Sequence, residues 1–354
     1  MQAARNFPSR SHPLAPRSML KKFLQRFLTR QPVLTESEEP ALNPLTVLAM
    51  EPQSRPVEMI DVDNVFFPWL LESGAATAQE LNDAENRILR ALKREADDDS
   101  RATADLVPRI PSIIPLLLRS LRDRNVSNHQ LAAQVAQDPV LVAAVLKQVN
   151  SSYFRRSASV KTIDEAIAVI GQNGLRMLVA SVAFKPLFNA GLGRFTTLGT
   201  PRIWELTEPN GVACRYFAAH RPVDGFEVFL AGLLQNVGVI VALRVMDQAG
   251  GAAPGELRSQ AFQASFMHYT GRLARLIGRH WEFPEAAISA IDRESTTCMA
   301  EVLRLVDRIS KARVLVNHGV LREEQAEACF EGNDAAACYR EVVEVEAEQA
   351  GSAA

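Results

Sequence analysis

Apolar residues recur through most of the chain at the three- and four-residue spacing of one helix face, and no stretch alternates with the period of two that marks a half-buried strand. Ile114, Leu117, Leu118 and Leu121 form one such face, Val142, Val145, Leu146 and Val149 a second, and Leu175, Leu178, Val179 and Val182 a third. The punctuation between them is helical too. Ser127 with Gln130, and Thr162 with Glu165, have capping-box spacing, and Asp138 followed by Pro139 reads as an N-cap and a first helical residue. Pro108, Pro111 and Pro115 mark the approach to the first of these helices. Asn150, Ser151 and Ser152 end the helix begun at Asp138, Gly171 stops the one begun at Thr162, and Pro186 breaks the next. Successive helices with short connections predict an all-α bundle.

The pattern weakens toward both ends. Residues 1–56 carry five spaced prolines from Pro32 to Pro56 and little periodicity, so a flexible extension is expected there. Within it Leu20, Phe23, Leu24 and Phe27 fall on one face and Lys21, Lys22 and Arg26 on the other, a short basic amphipathic helix over 19–28. A frayed or partner-docking tail is the first reading of it, and weak contact with an anionic membrane surface the second. It lacks the apolar core and cleavage site of a secretion signal. Residues 57–104 form a helical N-terminal segment, with Thr77 and Glu80 as the expected cap for a face of Leu81, Ala84, Ile88 and Leu92. The glycines between Phe188 and Pro201 suggest a mobile link. Phe226 to Leu243 reads as a buried core helix followed by a turn rather than a membrane span, because it contains Glu227, Gln235 and Asn236. After Arg322 the Ala- and Glu-rich tail, 321–354, is expected to be a solvated helix or loose.

Composition narrows the function classes. Hydrophobic residues at 47% and charged residues at 23% suit an ordinary globular chain, while a net charge of −2 gives no broad positive field for nucleic acid. Cys214, Cys298, Cys329 and Cys338 include no CxxC pair, as expected of a reduced cytoplasmic protein without disulfides or zinc.

Three runs together, IPSIIPLLLRSLRD from Ile110, QDPVLVAAVLKQVNSSYF from Gln137 and TIDEAIAVIGQNGLRMLVAS from Thr162, resemble the front half of an HDOD domain. The likeness continues through Trp204, AGLLQNVG at Ala231–Gly238 and HWEFPEAAISAI at His280–Ile291. It implies a two-part helical bundle within 105–320, a front part at 105–190 and a rear part at 200–320 similar to HD metal-dependent phosphohydrolases. The family motif positions it implies are Asp138, Pro139, Asn150, Ser151, Gly171, Trp204, Gly232, Gly238, Trp281 and Pro284. Pro209 departs from the pattern, sitting where the family has a regular helix, and is tolerable only near a helix start or a kink.

In HD enzymes histidines and a His-Asp dipeptide hold metal ions that activate water. By this resemblance the dipeptide falls on Gln235 and Asn236, carboxamides that are poor metal ligands. No histidine follows Trp204 in WELTEP, and the remaining ligand positions fall near Thr270, Glu294 and Ser295. Every position that can be placed is substituted, so no catalytic residue, metal or cofactor is expected. His268 and His280 lack ligand spacing and read as surface or packing residues. Gln235 and Asn236 are expected to satisfy each other or nearby carbonyls, and the Asn150 cluster to terminate a helix. The expected function is a non-catalytic bacterial signalling module acting through other proteins, not nucleic acid, with its oligomeric state left open. A nucleotide or second-messenger sensor using the relic cleft is the alternative, and a divergent phosphohydrolase a lesser one.

Overall fold

The helical spacing of the sequence is realised among the described residues. The computed structural model describes residues 60–73, 80–97, 114–115, 127–150, 160–188, 193–250, 252, 255–330 and 334–352, and every secondary-structure element among them is a helix. The basic segment 19–28, Thr77, Ser151 and Ser152 lie outside the described residues.

Helices α1 (Val62–Leu71) and α2 (Asp83–Asp97) come first, then α3 (Asn128–Val135), α4 (Pro139–Val149) and α5 (Ile163–Phe184), which make up the front half. The Ser127 hydroxyl accepts the Gln130 N–H at 3.2 Å while the Gln130 carbonyl accepts the Ser127 N–H at 2.8 Å, closing the expected capping box. Thr162 caps α5 by accepting the Glu165 N–H at 3.2 Å. As expected, Gly171 stops the first helical stretch of α5. It holds φ 72°, ψ 168°, a conformation that excludes side chains, and bends the chain between two helical stretches.

The rear half comprises α6 (Arg194–Glu205), α7 (Thr207–His220), α8 (Gly225–Ala249), α9 (Gln260–His280), α10 (Glu285–Ala290), α11 (Cys298–Asn317), α12 (Glu323–Ala328) and α13 (Asp334–Ser352). Its axis is α8, which packs against α9, α6, α7 and α2 and reaches α5 of the front half. Instead of turning after Leu243 it runs to Ala249, where Gly250 at φ 64° stops it. It is long and apolar enough to cross a membrane, but 83% of its most apolar window is buried inside the bundle. Gly238 permits the tightest crossing: a β-carbon there would meet the Thr270 carbonyl oxygen at 2.5 Å and the Ala274 β-carbon at 2.8 Å.

Several expectations change. The link after Phe188 is largely helix, since α6 begins at Arg194 and contains Gly199 and Pro201. Asp247 of α8 fastens its start by accepting the N–H groups of Phe195 and Thr196 at 2.7 and 3.0 Å. Leu206 alone separates α6 from α7, so Pro209 falls in the first turn of α7, where a missing N–H costs least. The cap of α2 is Asn82 with Glu85, each side chain bonding the other's N–H at 2.9 Å, rather than Thr77 with Glu80. Glu85 also accepts the Ser259 N–H at 2.8 Å, tying α2 to the start of α9.

The tail is neither loose nor solvated, because Phe330 and Tyr339 are fully buried and their rings stack at 5.3 Å. Burying each such side chain contributes roughly 2 kcal/mol. Arg313 of α11 pairs with Glu346 of α13 and with Glu323 at 2.8 Å, and the Tyr339 hydroxyl donates to Glu323 at 2.7 Å. The abundance of alanine and glutamate in this tail hid the buried stripe of Cys338, Val342 and Val345.

Candidate functional site: a cleft with an internal cation

Six helices converge on a cavity of about 160 Å3, and four of them supply most of its polar side chains and its aromatic rings. Gln235 and Asn236 enter it from α8, Thr270 from α9, Asp307, Arg308 and Lys311 from α11, and Asp63, Phe66 and Phe67 from α1. The substituted dipeptide and the substituted position at Thr270 therefore share one wall. Glu294 and Ser295 do not: they lie in neighbouring depressions beside Arg275, and the Ser295 carbonyl accepts from Arg304 at 2.9 Å.

The lysine of this cleft is neutralised from within, while Asp292, Arg293, Arg304 and Arg308 add further charge to the lining. The Lys311 ammonium donates to Asp63 at 2.7 Å and to Asp307 at 2.6 Å, with its side chain only 5% exposed. Its Nζ also lies 5.5 Å from the Phe66 ring centre. Burial alone would lower the Lys311 pKa, but the two carboxylates outweigh burial and hold it above its ordinary value. The adjacent ammonium lowers Asp63, whereas Asp307 is pushed up, chiefly by burial and only partly offset by Lys311. The sequence reading missed all three residues. The available signal was Asp307 and Lys311 at i, i+4 in line with the apolar residues Leu303 and Val314. Asp63 gave none, because α1 is apolar nearly all round and contains Pro68.

Asn236 is 4% exposed, and its Nδ2 has no hydrogen-bond partner among the described residues, contrary to the expectation that the two carboxamides satisfy their neighbourhood. A buried donor in this condition costs about 1–3 kcal/mol unless water or a ligand accepts from it. Thr270 donates within its own helix, to Met267 at 2.9 Å.

The other motif positions serve the fold. Asp138 accepts the N–H groups of Val140 and Leu141 at 2.9 and 3.1 Å. Pro139 opens α4. The Asn150 amide exchanges two bonds with the Val160 backbone, both 2.6 Å, joining the two ends of the 151–159 connection rather than merely terminating α4. Trp204 packs edge-on against Phe188 at 4.7 Å. Trp281 meets Phe184 of α5 at 6.0 Å, and Pro284 begins α10. Gly232 faces the Asn210 amide. His268 and His280 are exposed.

A divalent metal requires several anionic or imidazole donors converging on one point. Here Asp63 and Asp307 converge on an ammonium, the third carboxylate of the lining, Asp292, pairs with Arg275, and carboxamides, a hydroxyl and Arg293, Arg304 and Arg308 make up the rest of the polar lining. No group of three histidine, cysteine or carboxylate side chains capable of holding a metal occurs among the described residues. The donor set does not fit the metal of the HD hydrolases.

Comparison with known proteins agrees with this picture of the fold. The chain is similar to an HDOD domain protein with unknown function from Geobacter sulfurreducens, at 19% identity and a TM-score of 0.51, over 75% of this chain and 97% of that one. It also aligns with a protein of Shewanella amazonensis provisionally named a metal-dependent phosphohydrolase, at 18% identity and a TM-score of 0.49, over 75% of this chain and 100% of that one. An uncharacterized protein of Treponema pallidum is 29% identical over 146 residues, 39% of this chain and 26% of that protein. The chain thus spans about a quarter of the length of this curated relative. The family model of the HDOD domain matches residues 107–297, more than half of the chain, and the chain belongs to the HDOD domain family.

Proposed function

We propose that this HDOD protein is a non-catalytic bacterial regulatory module that works in the cytoplasm by binding other signalling proteins. The observation that carries the reading is the cleft's donor set. Its dipeptide is Gln235-Asn236, two of its carboxylates, Asp63 and Asp307, are bridged by Lys311, and the third, Asp292, is paired with Arg275. Hydrolysis of a phosphoester needs a positive centre that can bind the substrate oxygen and activate water. An ammonium already shared between two carboxylates does neither. What persists is a packed scaffold whose surface is available for recognition, and such a scaffold does not name its partner.

The test is affinity purification of the full chain from its native host, with metal quantified in the same sample. Stoichiometric recovery of a defined signalling protein with metal far below one equivalent is the expected result. Bound iron or manganese near one equivalent, together with phosphoester hydrolysis above blank, would overturn the reading. A second reading, a sensor of small second messengers, is favoured by one observation: the unpartnered Asn236 donor faces a cavity that Arg293 and Arg308 also line. Calorimetry against guanine and adenine second messengers separates the two.

A further inference from the structure

The lining of the cleft runs from the surface to the interior, since Arg293 and Arg304 are exposed while Asn236 and Lys311 are buried. We propose that it binds a compact hydroxylated carboxylic acid the size of a single aromatic ring, with the ring among the phenylalanines, the carboxylate at the arginines and the hydroxyl on Asn236. The inference rests on the reading of the cleft as a sensor's site and puts a smaller ligand in place of the nucleotide.

Size sets the first limit. At about 160 Å3 the cavity is close to the roughly 150 Å3 that holds a benzene-sized guest, and below the roughly 300 Å3 at which pockets for drug-sized ligands begin. The base, sugar and phosphates of a nucleotide do not fit within it. Phe66, Phe67, Phe266 and Met267 line it and suit a flat apolar body, because aromatic rings pack well edge to face or offset.

Charge sets the second. Four cations of the lining, Arg293, Arg304, Arg308 and Lys311, stand against three carboxylates, and Arg275 from outside the cavity takes one of these, Asp292. Lys311 is occupied by Asp63 and Asp307. Arg304 donates to the Ser295 carbonyl at 2.9 Å and Arg308 to the Cys329 carbonyl at 3.4 Å, neutral acceptors that leave both charges in place. The Arg293 side chain forms no hydrogen bond or ion pair among the described residues and acts on Asp63 only across space. The excess is positive, and a guanidinium takes a carboxylate through two parallel hydrogen bonds.

Asn236 sets the third. Its Nδ2 is buried without a partner among the described residues. The last torsion of an asparagine is two-fold, so the amide can present either its donor or its acceptor. A hydroxyl answers both, because it donates and accepts.

Calorimetry on the full chain tests this with para-hydroxybenzoate as the probe, and with benzoate, the neutral para-hydroxybenzyl alcohol and a cyclic dinucleotide for comparison. Para-hydroxybenzoate should bind saturably, and benzoate and the alcohol each about tenfold or more weakly, since one lacks the hydrogen bond to Asn236 and the other the charge. Arg293→Ala, at an exposed position, should weaken para-hydroxybenzoate about fivefold and leave the alcohol unchanged. Asn236→Leu should abolish the preference for para-hydroxybenzoate over benzoate. No saturable binding of para-hydroxybenzoate at millimolar concentration, or equal binding of the acid and the alcohol, would overturn the proposal. So would folded Arg293→Ala and Asn236→Leu variants that bind the probes as the unaltered chain does. If the dinucleotide binds and the acids do not, this ligand class fails while the sensor reading stands. If none binds, both fail.

Discussion

The front half of the bundle and the cleft of the rear half treat their motif residues in opposite ways. In front, Asp138, Asn150 and Gly171 each have a backbone duty, respectively capping a helix, closing a connection and bending a helix. In the cleft, Asn236 has an idle donor and Thr270 bonds only within its own helix. The difference separates residues that hold the fold from residues whose identity the fold does not require. Where a polar group is engaged by backbone, its substitution is a stability event. Where it is idle, substitution should leave stability almost untouched, and any consequence belongs to binding.

The largest expected effect lies where the two kinds of residue share a helix. Gly238 is two positions from Asn236 but is fixed by the approach of α9, so Gly238→Val must push against a backbone carbonyl. A loss of about 3 kcal/mol is expected, at the upper end of overpacking costs, read as a lowered urea midpoint. Lys311→Met comes next. It leaves Asp63 and Asp307 facing each other without their cation, but both are about a third exposed and can be partly hydrated, so about 2 kcal/mol is expected rather than the full cost of a buried orphaned charge. Adding Asp63→Asn and Asp307→Asn should recover most of that loss. A triple variant as unstable as Lys311→Met would mean that the lysine acts through packing of its stem and not through charge.

These effects fall unevenly on what could be read beforehand. The front helices were legible because their caps are local: Ser127 with Gln130 and Asp138 with Pro139 declare themselves within three residues. The cleft was legible only as a loss, through Gln235 and Asn236. Its working charges come from residues 63, 307 and 311, brought together by tertiary packing that no local pattern encodes. The buried tail was hidden for a related reason. Arg313, Glu323 and Glu346 look like solvated charges in sequence, yet they satisfy one another beneath α13.

Asn150→Ala tests the front side of the comparison. It removes both bonds to Val160, and a loss of about 1.5 kcal/mol is expected, with hydrogen exchange accelerating at the start of α5 before elsewhere. Acid gives a smaller signal in the cleft. Because Lys311 lowers the Asp63 pKa below its ordinary 3.8, the stability this pair contributes is fully present above that value and is lost as pH falls through the lowered one. Asp307, pushed up, acts in the opposite sense, since its charge is a cost at neutral pH that protonation relieves. The stability gap between the unaltered chain and Asp63→Asn should therefore stay constant from about pH 7 to about pH 5 and close only in stronger acid. A gap that closes already near neutrality would assign the effect to another group.

The smallest expected effect is the most discriminating. Asn236→Leu replaces an idle buried amide by an apolar side chain of similar size, beside Phe266 and Met267 in the cavity wall. If the donor has no partner, removing it relieves a desolvation cost, and stability should be unchanged or higher by up to about 1 kcal/mol. A loss of about 2 kcal/mol or more would instead reveal a tightly held water or ligand accepting from Asn236 in solution. In that case the cleft would share the front half's condition, every polar group engaged, and the contrast between the two regions would disappear.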